Sequence, residues 1–305
     1  MTYLAQVINS TIREITPILL VALCAGVCSK VQVFNIALEG TLLMSAFFAF
    51  LTHYFLRNIF LSVAVAMLVA MGMTLIMSTF IVKLKGQPMI VGMALNTFAR
   101  GFTTFLLSVI FHTKGAVNPS DLKGLTKIEL PGIRRIPFLS TVFSSLTVID
   151  YLAFALAVVM FVIMYRTVIG FRLRALGINK SAAGSLGINV PRYQILATTL
   201  SGAMIGLAGC LLTLGRNAMF IQDISGARGY VALAANNLCK GHPLGAMISS
   251  ALFGFTTALA QSLQGTAIRQ QLLQCIPYVA TIAAMAVYNV LARRRAAAPA
   301  RGEKA

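Results

Sequence analysis

RTVIGFRLRALGINKSAAGSLGINVPR, residues Arg166–Arg192, separates two apolar runs, one ending at Tyr165 and the other beginning near Tyr193. It carries Arg166, Arg172, Arg174, Lys180 and Arg192 and no acidic side chain. Basic loops between membrane spans stay on the cytoplasmic face, so this loop is expected there. Phe171, Leu173, Leu176 and Ile178 alternate with Arg172, Arg174 and Gly177. Asn179 then stands where an N-cap is needed for a short helix from Lys180 to Leu186. That helix is expected to expose Ser181, Ala182, Ala183, Gly184 and Ser185, all small enough for another protein to approach closely. A docking surface for a cytoplasmic partner and a plain basic connection between spans both fit this composition.

Outward from the loop the chain is apolar. Of its 305 residues 58% are hydrophobic and 10% charged, where a soluble domain averages about 25% charged. Several runs reach the roughly 20 residues that a helix needs to cross the hydrocarbon core. The expected fold is all-α, a polytopic membrane protein of about 8–10 transmembrane helices with one short or broken membrane segment near residues 225–241. Residues 1–292 form one transmembrane domain, and 293–305 form a basic cytoplasmic tail with Arg293, Arg294, Arg295, Arg301 and Lys304. The net charge of +18 is carried by loops and tail, with no aromatic interleaving, so nucleic acid is not an expected partner. Cys24, Cys28, Cys210, Cys239 and Cys275 lie mostly inside apolar runs without an accompanying His, which fits buried thiols and no metal site.

The first run extends from about Ile15 to Cys28 and, lacking a small-residue cleavage site, is expected to be a retained span. Next comes VQVFNIALEGTLLMSAFFAF, interrupted by Asn35 and Glu39, four residues apart and so on one face of a helix. A carboxylate at membrane depth costs roughly 2.5–3.5 kcal/mol and faces a cavity or a partner. Glu39 either lines a path or sits at the interface, pairing Lys30 or capping a helix start. After the run Ile59–Val82 and the turn Lys83–Pro88, the run Met89–Phe111 carries Asn96 and Arg100, again four apart. These form a polar wall of a path, or else hold helices together, with Arg100 paired to Glu39. The polar stretch His112–Pro137 is expected on the outside, either inert or touching an external protein. Phe138–Tyr165 then returns to the basic loop with Asp150 part-way along.

Beyond the loop, Ile195–Leu214 carries Ser201, Gly202, Gly206 and Gly209, small residues that let helices approach closely in lipid. In ISGARGYVALAANNLCKGHPLG the apolar part, Tyr230–Cys239, is too short to span, and Asn236 and Asn237 interrupt it. Such a piece suits a broken helix lining a transport site, or an extramembrane loop. Two further runs, Leu244–Leu263 and Leu272–Leu291, lead to the tail. A weak repeat relates Lys85-Gly86-Gln87-Pro88 and Gly101-Phe102-Thr103-Thr104 to Lys240-Gly241-His242-Pro243 and Gly254-Phe255-Thr256-Thr257. Span counting leaves the C-terminus inside and the N-terminus outside.

Three separated signatures resemble bacterial ABC-importer permeases of the branched-chain amino acid and simple-sugar superfamily, and its nucleoside-type members in particular. They are Asn35–Gly40, the loop with Arg172, Arg174, Gly177, Asn179, Ala182, Ala183, Gly187 and Ile188, and Arg228–Ala235. Ile178 and Lys180 depart from the family's loop, which carries an acidic residue and a proline there. The resemblance implies coupling to an ATPase through Arg172, Arg174, Gly177, Asn179, Ala182, Ala183, Leu186 and Gly187. It also implies a solute path past Asn35, Glu39, Asn96, Arg100, Asn236 and Asn237. The implied partners are an ATP-binding-cassette ATPase carrying ATP and Mg, a second related permease in a heterodimer, an extracytoplasmic solute-binding protein and the lipid bilayer. The implied place is the bacterial cytoplasmic (inner) membrane, and the implied solute a nucleoside or simple sugar.

The residues show no catalytic constellation. His53, His112 and His242 are scattered, and neither a zinc motif nor a Gly-x-x-x-x-Gly-Lys-Ser/Thr phosphate loop occurs. ATP-driven transport therefore needs a second polypeptide, and the chain binds no cofactor of its own. Two other classes stay open on the residues alone: a secondary transporter coupled to protons or ions through Glu39 or Asp150, and a non-transporting membrane assembly subunit.

Overall fold

A computed structural model describes residues 2–113, 115–119, 122, 124–126, 146–215, 218–263, 279 and 286. Among these, ten helices run in the order α1 (Thr2–Lys30), α2 (Leu38–Leu56), α3 (Ile59–Val82), α4 (Pro88–Phe111), α5 (Val148–Arg166), α6 (Val168–Ile178), α7 (Lys180–Ser185), α8 (Val190–Leu214), α9 (Arg228–Cys239) and α10 (Pro243–Ser262). The short strands β1 (Ala116–Val117) and β2 (Phe220–Ile221) pair antiparallel, with Ala116 opposite Ile221. Six described helices, α1, α3, α4, α5, α8 and α10, are long and apolar enough to cross a membrane. The molecule is an all-α, multi-pass membrane protein. The run Leu272–Leu291, apart from Val279 and Ala286, lies outside the described residues, as do the tail 293–305, Cys275 and most of the stretch after His112.

The innermost helix is α1. Its residues Ile18–Ala25 are all buried, and it packs against α5, α8, α9 and α10. α2 is the second inner helix, enclosed by α3, α4, α8 and α9. By contrast α3 and α4 turn Phe60, Leu68, Ile76, Ile90, Phe98 and Phe105 outward, as helices with lipid or another membrane protein for a neighbour do. The glycines of α8 set its distance from the inner layer. A Cβ on Gly206 would lie 2.7 Å from the Ala66 carbonyl of α3, and one on Gly209 would lie 2.7 Å from the Ala46 nitrogen of α2. The expected small-residue packing is therefore present, and it involves α2 as well as α3.

Two expectations need correction. The first span begins well before Ile15, because α1 continues unbroken through Glu14, which is only 1% exposed. Glu14 accepts from Arg228 at 2.9 Å and from Gln261 at 3.2 Å, so a charge that marks a helix end in sequence is compensated inside the bundle. Asn35 and Glu39 do not share a helix face either. Gln32, at φ +55°, turns the chain out of α1, residues 33–36 lack helical structure, and α2 opens only at Leu38. The Lys-Gly-x-Pro repeat has a backbone counterpart. Lys85 and Lys240 both adopt left-handed conformations, at φ +53° and +52°, and Pro88 and Pro243 then occupy the first turns of α4 and α10.

Candidate translocation groove and coupling segment

The basic loop folds as two helices set nearly end to end. Thr167 caps α6 by accepting from the Gly170 N–H, and a Cβ on Gly170 would collide with the carbonyls of Ile163 and Met164. Arg172 donates to the Tyr193 hydroxyl at 2.6 Å, and the Arg174 guanidinium lies 4.8 Å from the Tyr165 ring centroid. Asn179 accepts from the Ser181 and Ala182 N–H groups at 3.0 and 3.1 Å, so it caps α7 as its position in the sequence suggests. Gly187, at φ +80°, makes the left-handed turn that follows α7. Ala183, expected on the surface, is buried. A helix of six residues lying on α6 and α8 has to spend one face on that contact. Ala182 stays exposed, flanked by Ile178 at 84% and Leu186 at 80% exposure. Ile178 escapes sequence reading because it departs from the resemblance instead of matching it.

This segment is tied to the strap that joins α1 to α2. Gln32 donates to the Gly177 carbonyl at 2.9 Å, Lys180 to the Gln32 carbonyl at 3.3 Å, and Gln194 to the Val31 carbonyl at 2.7 Å. Leu173 packs with Val31, Val33 and Ala37. Gly177 lies so close to the Lys30 carbonyl that no Cβ fits between them. Any displacement of α6 and α7 therefore reaches residues 31–37, and through them the first turn of α2.

The first turn of α2 borders an open groove of about 220 Å³, whose lining includes Glu39, Asn96, Thr97, Arg100, Ser225 and Tyr230. Three of the six expected path residues, Glu39, Asn96 and Arg100, are thus brought together. Glu39 is 4% exposed and caps α9 from outside. One carboxylate oxygen accepts from the Ser225 hydroxyl at 2.6 Å and the Ala227 N–H at 2.9 Å, and the other from the Gly229 N–H at 2.7 Å. The capping alternative is the geometry observed, and neither Arg100 nor Lys30 is its partner. Asn96 receives the Gly40 N–H at 2.7 Å and donates to the Ile36 carbonyl and the Tyr230 hydroxyl at 3.0 and 3.1 Å, so both ends of its amide are occupied. Arg100 pairs instead with Asp223, Nε to carboxylate, at 3.0 Å.

The other three lie elsewhere. Asn35 is buried under the strap, its amide nitrogen 3.8 Å from the Cys28 sulfur and its oxygen without a donor among the described residues. Asn236 is buried across from Gly26, again with an unsatisfied amide oxygen, and Asn237 is exposed near the far end of α9. Tyr230, Asp223 and the pair Glu14–Arg228 are the groups that sequence reading passed over. Arg228 and Tyr230 stood inside a recognised signature without a role, and Glu14 stood just outside the run taken for the span.

A family model described as the branched-chain amino acid transport system permease component matches residues 7–286. The chain belongs to that family. It is 29% identical over 284 residues to the nucleoside ABC transporter permease protein NupC of Lactococcus lactis, covering 90% of this chain and 89% of the relative. It is 29% identical over 296 residues to the guanosine ABC transporter permease protein NupQ of Bacillus subtilis, covering 95% and 91%. NupB of Lactococcus lactis, also named a nucleoside ABC transporter permease, is 26% identical over 281 residues, covering 89% and 77%.

Within this permease the two carboxylates considered for proton coupling are both engaged in holding helix ends. Asp150 is not part-way along a span but in the first turn of α5, where it completes a capping box with Thr147. One of its oxygens accepts from the Thr147 N–H at 2.7 Å and hydroxyl at 2.8 Å, and the other from Thr16 of α1 at 2.6 Å. Both carboxylates are thus spent on positioning helix ends, and neither presents an unengaged oxygen to a path. Secondary transport through Glu39 or Asp150 is not favoured by this geometry or by the family.

Proposed function

We propose that this permease carries a nucleoside across the bacterial cytoplasmic membrane, along a path built where its groove faces a second, related permease. The carrying observation is the Arg100–Asp223 pair. Arg100 is twelve residues into α4, about 18 Å from its start at 1.5 Å per residue, yet its side chain is 62% exposed and that of Asp223 is 43% exposed. Exposed charge at this depth faces water or protein, not acyl chains. A groove of about 220 Å³ falls short of the roughly 300–1,000 Å³ of complete ligand pockets, which suits a half-site finished by a partner. The similarity to both NupB and NupC of one organism supports a heterodimer.

The engine is a separate ATP-binding-cassette ATPase holding ATP and Mg. It docks on Ala182, Ile178 and Leu186, with Arg172 and Arg174 bracing α6 from behind and Asn179 and Gly187 fixing α7. Gly177 and Gln32 transmit its movement to the strap. Asn35 and Asn236, buried with amide oxygens that meet no donor among the described residues, act in this movement instead of touching solute. An extracytoplasmic solute-binding protein delivers the nucleoside, and the C-terminus is cytoplasmic. The test is uptake of a labelled nucleoside into proteoliposomes holding all subunits. Uptake that needs ATP and survives a protonophore supports the reading, whereas uptake that ignores ATP and collapses with the proton gradient overturns it.

A further inference from the structure

We propose that Arg100 and Tyr230 read the base of the nucleoside in transit, and that the groove prefers 6-oxopurine nucleosides to adenosine. The inference rests on the nucleoside reading above and narrows it. It follows from asking which polar groups of the groove have hydrogen-bonding capacity left. Glu39 accepts three hydrogen bonds from the α9 end, and Asn96 has both ends of its amide occupied. The Thr97 hydroxyl donates to the Met93 carbonyl at 3.0 Å. Arg100 differs from all three. Only its Nε is engaged, by Asp223, and neither terminal nitrogen meets an acceptor among the described residues. A guanidinium fork thus borders the groove with its outer edge unspent.

Tyr230 supplies the second half. It is 42% exposed in the groove, yet its hydroxyl is held by Asn96, which is itself fixed to Ile36 and Gly40. The ring is therefore a stacking platform with a restrained position. Nucleobases stack on such rings whatever their identity, so Tyr230 supplies affinity without choice. The choice falls to Arg100. Its two terminal nitrogens present paired donors, which match the adjacent N7 and O6 acceptors of a 6-oxopurine. Adenine offers N7 but places an amino donor beside it, so on that edge it meets the fork donor to donor. Asp223 accepts from the inner edge of Arg100 and fixes the plane of the fork without touching the base.

The experiment measures uptake in proteoliposomes containing this permease, its partner subunits and enclosed ATP, with labelled guanosine, inosine and adenosine. The variants are Arg100→Lys, Arg100→Gln, Asp223→Asn, Tyr230→Phe and Tyr230→Leu, each matched for membrane abundance. The parent is expected to favour guanosine and inosine over adenosine by about tenfold, the lower range for a bidentate contact. Both Arg100 variants should lose that preference, with guanosine and inosine uptake falling more than adenosine uptake. Asp223→Asn should retain the preference because the fork survives. Tyr230→Phe keeps the ring but loses its tether to Asn96 and should weaken every nucleoside modestly with the preference retained, and Tyr230→Leu should weaken every nucleoside further. A parent that carries guanosine, inosine and adenosine equally, or an Arg100→Lys variant with the preference intact, overturns the inference while leaving nucleoside transport standing. A parent that carries a simple sugar and no nucleoside sinks the substrate reading itself.

Discussion

Replacing Glu39 with Gln separates a structural carboxylate from a transporting one. The parent side chain accepts the Ser225 hydroxyl and the Ala227 and Gly229 N–H groups, all at 2.6–2.9 Å. The amide of Gln turns one accepting oxygen into a donor, so at least one backbone N–H at the start of α9 faces another donor. A hydrogen bond to a charged acceptor contributes about 1.5–3 kcal/mol, and a negative charge at a helix N-terminus about 0.3–2 kcal/mol. Together they set the expected loss at about 2–5 kcal/mol. Equilibrium unfolding in mixed micelles measures that loss, and uptake is followed on the same preparation. Stability should fall within this range, and uptake should fall with the folded fraction at every pH tested. A Glu39→Gln protein that unfolds like the parent but transports nothing would refute the reasoning, because Glu39 would then be working on a proton or on the solute.

Gly177→Val should uncouple the machine: α6 is pushed off the Lys30 carbonyl, so ATP hydrolysis by the assembled complex persists while uptake drops at least tenfold. Arg228→Ala removes an ion-pair partner of the buried Glu14 and should cost up to about 3–5 kcal/mol in unfolding experiments, with the double variant Glu14→Gln, Arg228→Gln recovering part of it. Gly206→Ala should cost about 1–3 kcal/mol by overpacking α8 against α3. Gly184→Ala is its control, since the nearest atom to a Cβ there is Val190 Cγ2 at 3.9 Å, and it should stay within about 0.5 kcal/mol of the parent.

The membrane spans were legible because length and apolarity suffice to define them. Ile59–Val82 was read to the residue, and α4, α8 and α10 to within a few. Asn179 as a cap was legible for a similar reason, because capping is local and needs only its neighbours in the chain. What escaped was compensation between distant residues. Glu14 is tolerated in α1 because distant groups, among them Arg228, 214 residues away, and Gln261, come to meet it, and no local pattern announces that. The four-residue spacing of Asn35 and Glu39 suggested one helix face, but the turn at Gln32 and the unwound strap lie between α1 and that helix. Asn96 and Glu39 border one groove. Their spacing gave no sign that backbone N–H groups would occupy them, and exposure of Tyr230 is a tertiary fact.

The account stands or falls on whether an external ATPase works this bundle through α6 and α7. The most direct test is Ala182→Trp, which adds a bulky ring to the exposed face of a helix whose other side is already packed. Association of the ATPase subunit and ATP-driven uptake are measured on that one preparation. The account predicts that the ATPase no longer remains bound and that uptake falls to background while the permease stays folded. A bound ATPase with uptake at the parental rate would contradict it.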